Sequence, residues 1–329
     1  MGIDLSKIIL RKDISINSLS GKIIALDGYN VIYQFLSTIR DRFGRPLKNK
    51  NGVVTSHLSG LFYRNMNLMA AGIDLIYVFD GEPPIHKRDE LNKRKKNKEI
   101  ENQKYISAIK DGNIVDARKY AKRTSIVDRN IIDEAKELLT IMGIQVIMSP
   151  SEGEAQASYM ARSGDVWASA SQDYDSILFG TPKTIRNLTS SNKFNPELIR
   201  LEDILNKHKI TREQLIDIAI LVGTDYNTGV RGLGPAKSLL LIQKHEKIED
   251  IPDIHDKISL NEVKIIRNLF LDPKIIKNYK IEHKDIDERR LVSYLCGEMN
   301  FSRERVLKVL EKTVKHDKKK HVNTLDSWI

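Results

Sequence analysis

The sequence predicts an α/β fold: a mostly parallel central sheet with helices on both faces, a basic helical arch inserted into it, and a helix-turn-helix-type hairpin after it. Three observations carry this. Lys22–Asp27 and Leu75–Asp80 are short apolar runs, β-branched or aromatic-rich, and each ends in an acid; that length and composition suit buried parallel strands. Between them Thr55–Ala71 sets Leu58, Leu61, Phe62, Met66 and Met69 at helical spacing, and a helix between two strands makes a parallel crossover. The alternation then repeats, with a helix over about Asn130–Met142, a strand at Gln145–Met148, a helix from Glu152 to about Arg162, and a strand at Val166–Ser171. Such repetition belongs to a sheet covered on both faces.

The remaining elements follow in order. Between Asp80 and Asn130 the chain turns polar and basic, with Lys87, Arg88, Lys93, Arg94, Lys95, Lys96 and Lys98 close together, which marks an insertion rather than core. From about Thr211 the spacing is helical, through Leu215–Leu221, Ser238–Lys244, Leu260–Leu271, Asp287–Cys296 and Ser302–Val314. We therefore expect a single domain over residues 1–315, with the arch at about 82–130, the hairpin at about 212–246 and C-terminal helices at about 258–315. A flexible tail fills 316–329, a basic run closing on a few apolar residues.

With 329 residues and 40% hydrophobic content, the chain can bury a sizeable core. Its net charge of +10 suits a polyanionic partner, because each Lys or Arg that meets a phosphate releases condensed counterions. Cys296 is the only cysteine, which excludes an internal disulfide and a thiolate metal cluster and points to a reducing, cytoplasmic setting. No apolar run is long enough to span a bilayer, so no membrane partner is expected, and the chain is expected to be a monomer.

Seven acids stand out: Asp27, Asp80, Glu152, Glu154, Asp173, Asp175 and Asp225. Most follow directly on a predicted strand, and in an open parallel sheet strand ends converge on one crevice. So many carboxylates together are costly unless a cation neutralises them. Hard oxygen donors without His or Cys point to Mg²⁺, with Mn²⁺ as a substitute. Plainer explanations exist for several. Asp27 and Asp80 precede Gly28 and Gly81 and could simply start turns. Ser151-Glu152-Gly153-Glu154 reads as a capping box with Ser151 as N-cap, which accounts for Glu154 but not Glu152. Asp173-Tyr174-Asp175 could be a turn, although alternate residues beyond a strand can aim two carboxylates into one site.

Gly223–Lys237 reads as helix, Gly-rich turn, helix. Gly232 and Gly234 permit close backbone approach, and the free N–H groups at the start of the second helix, near Lys237, can hold a phosphate. A DNA-backbone clamp accounts for this composition better than a plain turn does.

These residues resemble the flap endonuclease family in its compact archaeal form. The similarity rests on Ser151-Glu152-Gly153-Glu154-Ala155-Gln156-Ala157, Ser171-Gln172-Asp173-Tyr174-Asp175-Ser176 and Leu221-Val222-Gly223-Thr224-Asp225-Tyr226, with Phe79–Pro84 and Thr55–Leu58 in support. It spans nearly the whole chain to about residue 250. The resemblance implies a structure-specific nuclease with 5′–3′ exonuclease activity that acts on branched or flap DNA in replication and repair. It implies two ions per site, Asp27, Asp80, Glu152 and Glu154 nearer one and Asp173, Asp175 and Asp225 nearer the other. It places catalytic roles on Lys87 and Arg94, which otherwise read as a solvated basic face. It makes Tyr33 the aromatic that stacks on an unpaired base, where helical spacing alone equally suits a core position. The arch, being polar and weakly periodic, should order only on DNA. Family members often end in a sliding-clamp box; here Leu325, Trp328 and Ile329 occupy its apolar positions, with Val322 in place of Gln, or else the end is frayed.

Three other readings share parts of this pattern. A non-catalytic DNA-binding module would use the arch and hairpin but has no need of seven acids. A related 5′ nuclease for bubbles or junctions would use the same metal chemistry. An RNA nuclease would leave the hairpin without a purpose.

Overall fold

The computed structural model describes residues 3–82, 88–121, 127–190 and 195–313. Its seven strands are β1 (Lys12–Asp13), β2 (Ile23–Asp27), β3 (Asp74–Phe79), β4 (Gln145–Met148), β5 (Ala168–Ala170), β6 (Lys183–Arg186) and β7 (Glu197–Arg200). They form one sheet of order β1-β7-β6-β5-β2-β3-β4. The run β6-β5-β2-β3-β4 is parallel, as expected, and an antiparallel edge of β7 and β1 is added to it. That edge left no trace in the sequence reading, because strands of two and four residues are too short to display an alternating period.

Alternation along the central strands divides the core. Ile24 and Leu26 of β2 and Leu75, Tyr77 and Phe79 of β3 face one apolar cluster, whereas Ala25, Ile76 and Val78 face another, the two-residue period of a pleated strand. On the first face lie α1 (Gly28–Thr38), α2 (Ser56–Ala70) and, beyond the arch, the helix Arg129–Ile141. Buried Tyr77 donates to Asn65 Oδ1 of α2 at 2.9 Å, so its hydroxyl is satisfied inside this core.

The arch contains α3 (Arg88–Lys110) and α4 (Ile114–Ala121), after which Arg129–Ile141 is α5. Both segments are helical, although α3 has almost no apolar stripe of its own. The opposite face of the sheet is covered by α6 (Gly153–Arg162).

A second core gathers the N-terminal residues Ile3–Ile9 with α7 (Asp175–Leu178), α8 (Leu201–His208), α9 (Arg212–Val222), α10 (Pro235–His245) and α11 (Leu260–Leu271). α9 opens on a full capping box, Thr211 with Gln214, which satisfies two N-terminal amides reciprocally. Arg267 of α11 forks onto Asp217 of α9 at 2.8 and 2.9 Å and onto Glu249 at 2.9 and 3.0 Å. One guanidinium thus ties three segments together.

From α11 the chain returns to the sheet as an extended strap. Gln156 of α6 grips the Ile276 backbone on both sides, Nε2 donating to its carbonyl at 2.9 Å and Oε1 accepting from its amide at 2.7 Å. Gln145 on edge strand β4 does the same with Lys280 O and Glu282 N, so the strap occupies an edge that would otherwise be open to pairing. The helix expected over Asp287–Cys296 is α12 (Glu288–Val292) continued by a π-helical turn, Ser293–Glu298, and a last helix covers 303–313. The tail and its candidate clamp residues Leu325, Trp328 and Ile329 lie outside the described residues. Among the described residues no helix is long and apolar enough to cross a membrane.

Candidate active site

The central strands deliver acids to one rim of the sheet because each ends where a helix begins. Asp27 closes β2 and caps α1, its Oδ1 accepting from Asn30 N at 3.1 Å. Asp80 follows β3 and accepts from Gly153 N, the first amide of α6, at 2.6 Å. The sequence reading made Ser151 the N-cap of that helix, and this is corrected. The helix opens at Gly153 with Glu152 in the cap position and no side-chain cap bond of its own. Asp80, arriving from β3, takes the free amide instead, and Ser151 is held through its own amide by Ser149 Oγ. Capping therefore explains Asp80 rather than Glu154.

Beyond β5 the loop raises Asp173 and Asp175. Asp173 Oδ2 accepts from Asn30 Nδ2 at 3.0 Å, and its amide donates to Ser171 Oγ at 3.1 Å. The Asn30 link crosses between the carboxyl ends of β2 and β5, the point where the strand order turns back on itself and where such sheets place ligands. Ser171 Oγ also donates to Glu154 Oε1. Asp175 and Asp225 are buried; Asp27, Asp80, Glu152, Glu154 and Asp173 are half-buried.

Electrostatics draw the seven into one group. Burial, followed by Asp175, Asp27 and Asp173, pushes the Glu154 carboxyl well above its usual range, against the opposing Ser171 bond. Tyr226 donates its hydroxyl to Glu152 Oε2, and burial together with Glu152, Asp175 and Asp225 raises that hydroxyl's pKa. Tyr29 likewise is raised by burial and by Asp80, Asp133 and Asp27. Glu154 thus stands at the seam between the two acid sets that the family resemblance separates.

Among the described residues no three His, Cys, Asp or Glu side chains are arranged to grip one ion as they stand. Neutral donors hold several of them in their present orientation: Asn30, Ser171, Tyr226 and the Gly153 amide. The donor set nonetheless fits a hard divalent cation, being all oxygen, and Glu154 is a group whose ionisation a cation would favour. Asn30, Ser171 and Tyr226 went unassigned in the sequence reading. Ser171 and Tyr226 lie inside the quoted motifs and Asn30 three residues after Asp27, so position relative to the acids was the available signal.

Tyr33 of α1 is 36% exposed, which overturns the core alternative, and Lys98 Nζ of α3 lies 5.1 Å from its ring centroid. Arg94 falls on α3, but its side chain, like all of Lys87, lies outside the described residues. In the hairpin, Gly232 has φ +86° and Gly234 φ −101°. A Cβ on either would meet nothing within 4 Å. Gly234 therefore has no internal reason to be glycine. Lys237 is exposed on the first turn of α10.

An acid cluster at the carboxyl rim of a mostly parallel sheet, beside a basic helical arch and a Gly-rich helical hairpin, defines a nuclease of the XPG type. Residues 1–101 match the XPG N-terminal domain family and residues 143–225 the XPG I-region. Flap endonuclease 1 of Pyrococcus abyssi is 48% identical over 340 residues, covering 100% of this chain and 98% of its own. The solved structure of flap endonuclease-1 from Methanococcus jannaschii superposes with TM-score 0.79 at 40% identity, over 97% of this chain and 100% of that one. The catalytic core of Rad2 in complex with DNA substrate shares the fold, with TM-score 0.72 at 24% identity over 92% and 96%. The chain belongs to the flap endonuclease family and is a structure-specific flap endonuclease, an enzyme of DNA replication and repair.

Proposed function

We propose that this nuclease cuts with Mg²⁺, held as two ions by Asp27, Asp80, Glu152, Glu154, Asp173, Asp175 and Asp225, and that Mn²⁺ substitutes. The observation that carries the reading is Glu154, whose carboxyl is raised by burial and by three further acids around it, which is an arrangement that favours a divalent cation. When bound, such ions polarise the scissile phosphate and stabilise the leaving oxygen. The chain's own groups do the rest. The acids hold the cations, and Asn30, Ser171 and Tyr226 fix carboxylate orientation. Lys87 and Arg94 contact the scissile phosphate from the arch. Tyr33 stacks on the unpaired base beside the cut, supported by its exposure beside α3 of the arch. The Gly232–Lys237 turn grips the duplex backbone, supported by the open space at both glycines.

The substrate in this reading is a 5′ single strand at a junction with duplex, cut endonucleolytically, with 5′–3′ exonuclease activity at nicks. Cleavage of flap, nicked, bubble, four-way and single-stranded DNA with and without Mg²⁺ tests it. Flap DNA is expected to be cut fastest and nothing to be cut in excess chelator; full activity in chelator would refute the metal reading. Residues 1–315 act as one nuclease domain, as a monomer, and the tail docks a ring-shaped sliding clamp through Leu325, Trp328 and Ile329. Because anchors dominate such interfaces, changing Leu325 and Trp328 together to Ala should abolish clamp binding in calorimetry with the purified ring while leaving intrinsic flap cutting intact. Unaltered clamp affinity would make the tail an ordinary chain end.

A further inference from the structure

Tyr226 stands where the hairpin meets the acid cluster, and its position is set from the hairpin side. Its ring lies edge-on to Phe270 of α11, centroids 5.5 Å apart, and Phe270 packs on Phe179 at 5.0 Å. Its backbone belongs to a cross-braced turn. The Tyr226 amide donates to Thr224 Oγ1 at 3.1 Å, and the Thr224 hydroxyl and amide donate to Asn227 Oδ1 at 2.9 and 3.0 Å. Asn227 Nδ2 donates to Ile220 O of α9 at 2.8 Å. From this frame the hydroxyl reaches across to Glu152 Oε2, in the cap position of α6.

Packing does not require that hydroxyl, since a phenyl ring would fill the same space against Phe270. Burying an O–H is unfavourable unless it is bonded, and a carboxylate acceptor makes the bond charge-assisted. A Lys or Arg could orient Glu152 as firmly, but its charge would compete with a cation for the acids. A neutral donor orients the carboxylate and leaves its charge in place, which is how partners behind a metal-binding carboxylate act.

We propose that Tyr226 is a positioning residue, its hydroxyl holding Glu152 in the orientation that receives a divalent cation and doing so from the braced turn of the DNA-gripping hairpin. The inference rests on the reading of Glu152 as a ligand. Its test is calorimetric titration of the full chain with Mn²⁺, wild type against Tyr226→Phe, together with the Mg²⁺ dependence of flap cutting and flap-DNA affinity measured in chelator. Tyr226→Phe is expected to weaken Mn²⁺ binding by about tenfold. The half-saturating Mg²⁺ for cutting should rise by the same factor, most of the maximal rate should return at saturating Mg²⁺, and DNA affinity in chelator should be unchanged. A double-mutant cycle with Glu152→Gln guards against a general effect of the substitution. Non-additive losses of Mn²⁺ affinity support action through Glu152, and additive losses overturn it. Wild-type Mn²⁺ affinity in Tyr226→Phe overturns this inference alone, whereas absence of Mn²⁺ binding by the wild type removes the metal reading and this inference with it.

Discussion

Two groups of buried or half-buried acids occupy the two halves of this molecule, and they are held by different kinds of partner. In the helical half, Asp217 and Glu249 share the guanidinium of Arg267 through four bonds of 2.8 to 3.0 Å, which lowers Glu249 and opposes the burial that still raises the Asp217 carboxyl to about 6. At the sheet rim, Glu154 is raised by burial and by Asp175, Asp27 and Asp173, and its neighbours are oriented by the neutral donors Asn30, Ser171 and Tyr226. In the proposed reading, the acids of the helical half are tied down by an arginine, whereas the rim acids are oriented by neutral donors to receive a cation.

The most severe way to test that contrast is to remove one rim acid. Asp173→Ala should lower the single-turnover rate of flap cutting by at least about a hundredfold, a typical loss when one preorganised electrostatic group is removed, while DNA affinity in chelator changes little. Folding should be unharmed or improved, because the change relieves repulsion around Glu154. If thermal melting showed a large destabilisation instead, the rim acids would be structural after all.

The arch extends the comparison to positive charge. If Lys87 and Arg94 meet the scissile phosphate, either change to Ala should cost roughly a hundredfold in single-turnover rate and little in binding. Exposed Lys96 should behave otherwise, its change to Ala reducing the salt slope of binding by about 1 with the rate preserved. Equal small effects at all three positions would return the arch to a solvated basic face.

Arg267→Ala tests the paired half. It leaves Asp217, whose side chain is 3% exposed, without its guanidinium, and the breaking of such a pair should cost about 3 kcal/mol in denaturant unfolding. Replacing both partners by apolar residues, Arg267→Met with Asp217→Leu, should recover most of that loss. Stability unaffected by Arg267→Ala would mean that the brace contributes nothing and that the contrast between the two acid groups is only geometric.

Much of this was legible in the sequence, for reasons that can be stated. Strands β2, β3 and β4 and helices α2, α5 and α11 emerged within a residue or so because each is long or apolar enough to show its period. The seven acids were readable because strand ends and motif order placed them. The edge strands β1 and β7 are too short for a period. The Asp80 bond to the α6 amide is long-range, so a local rule assigned the cap to Ser151. Tyr33 was ambiguous because helical spacing says which residues share a face, and only the tertiary structure says whether that face meets the core or solvent. Arg267 had no signal, since its partners lie 18 and 50 residues away.

The finest test compares two glycines of the hairpin turn. Gly229 has φ +69°, and a Cβ there would lie 2.4 Å from the Val222 carbonyl carbon. The fold itself therefore demands glycine, and Gly229→Ala should cost about 2 kcal/mol through strain and overpacking. Gly234 has an ordinary φ of −101°, caps α10 without a side-chain bond, and has open space where a Cβ would point. Serine is intrinsically preferred over glycine at such a cap by a few tenths of a kcal/mol, so Gly234→Ser should leave stability equal or slightly higher. If the space at Gly234 is kept clear for a DNA backbone, the same change should weaken duplex binding by about fivefold, the equivalent of one lost hydrogen bond of ~1 kcal/mol. A substitution that helps the fold and harms binding is the signature of a residue selected for its partner. Unchanged DNA affinity in fluorescence anisotropy would show that the phosphate passes elsewhere on the turn, leaving Gly232 and Lys237 to account for the grip.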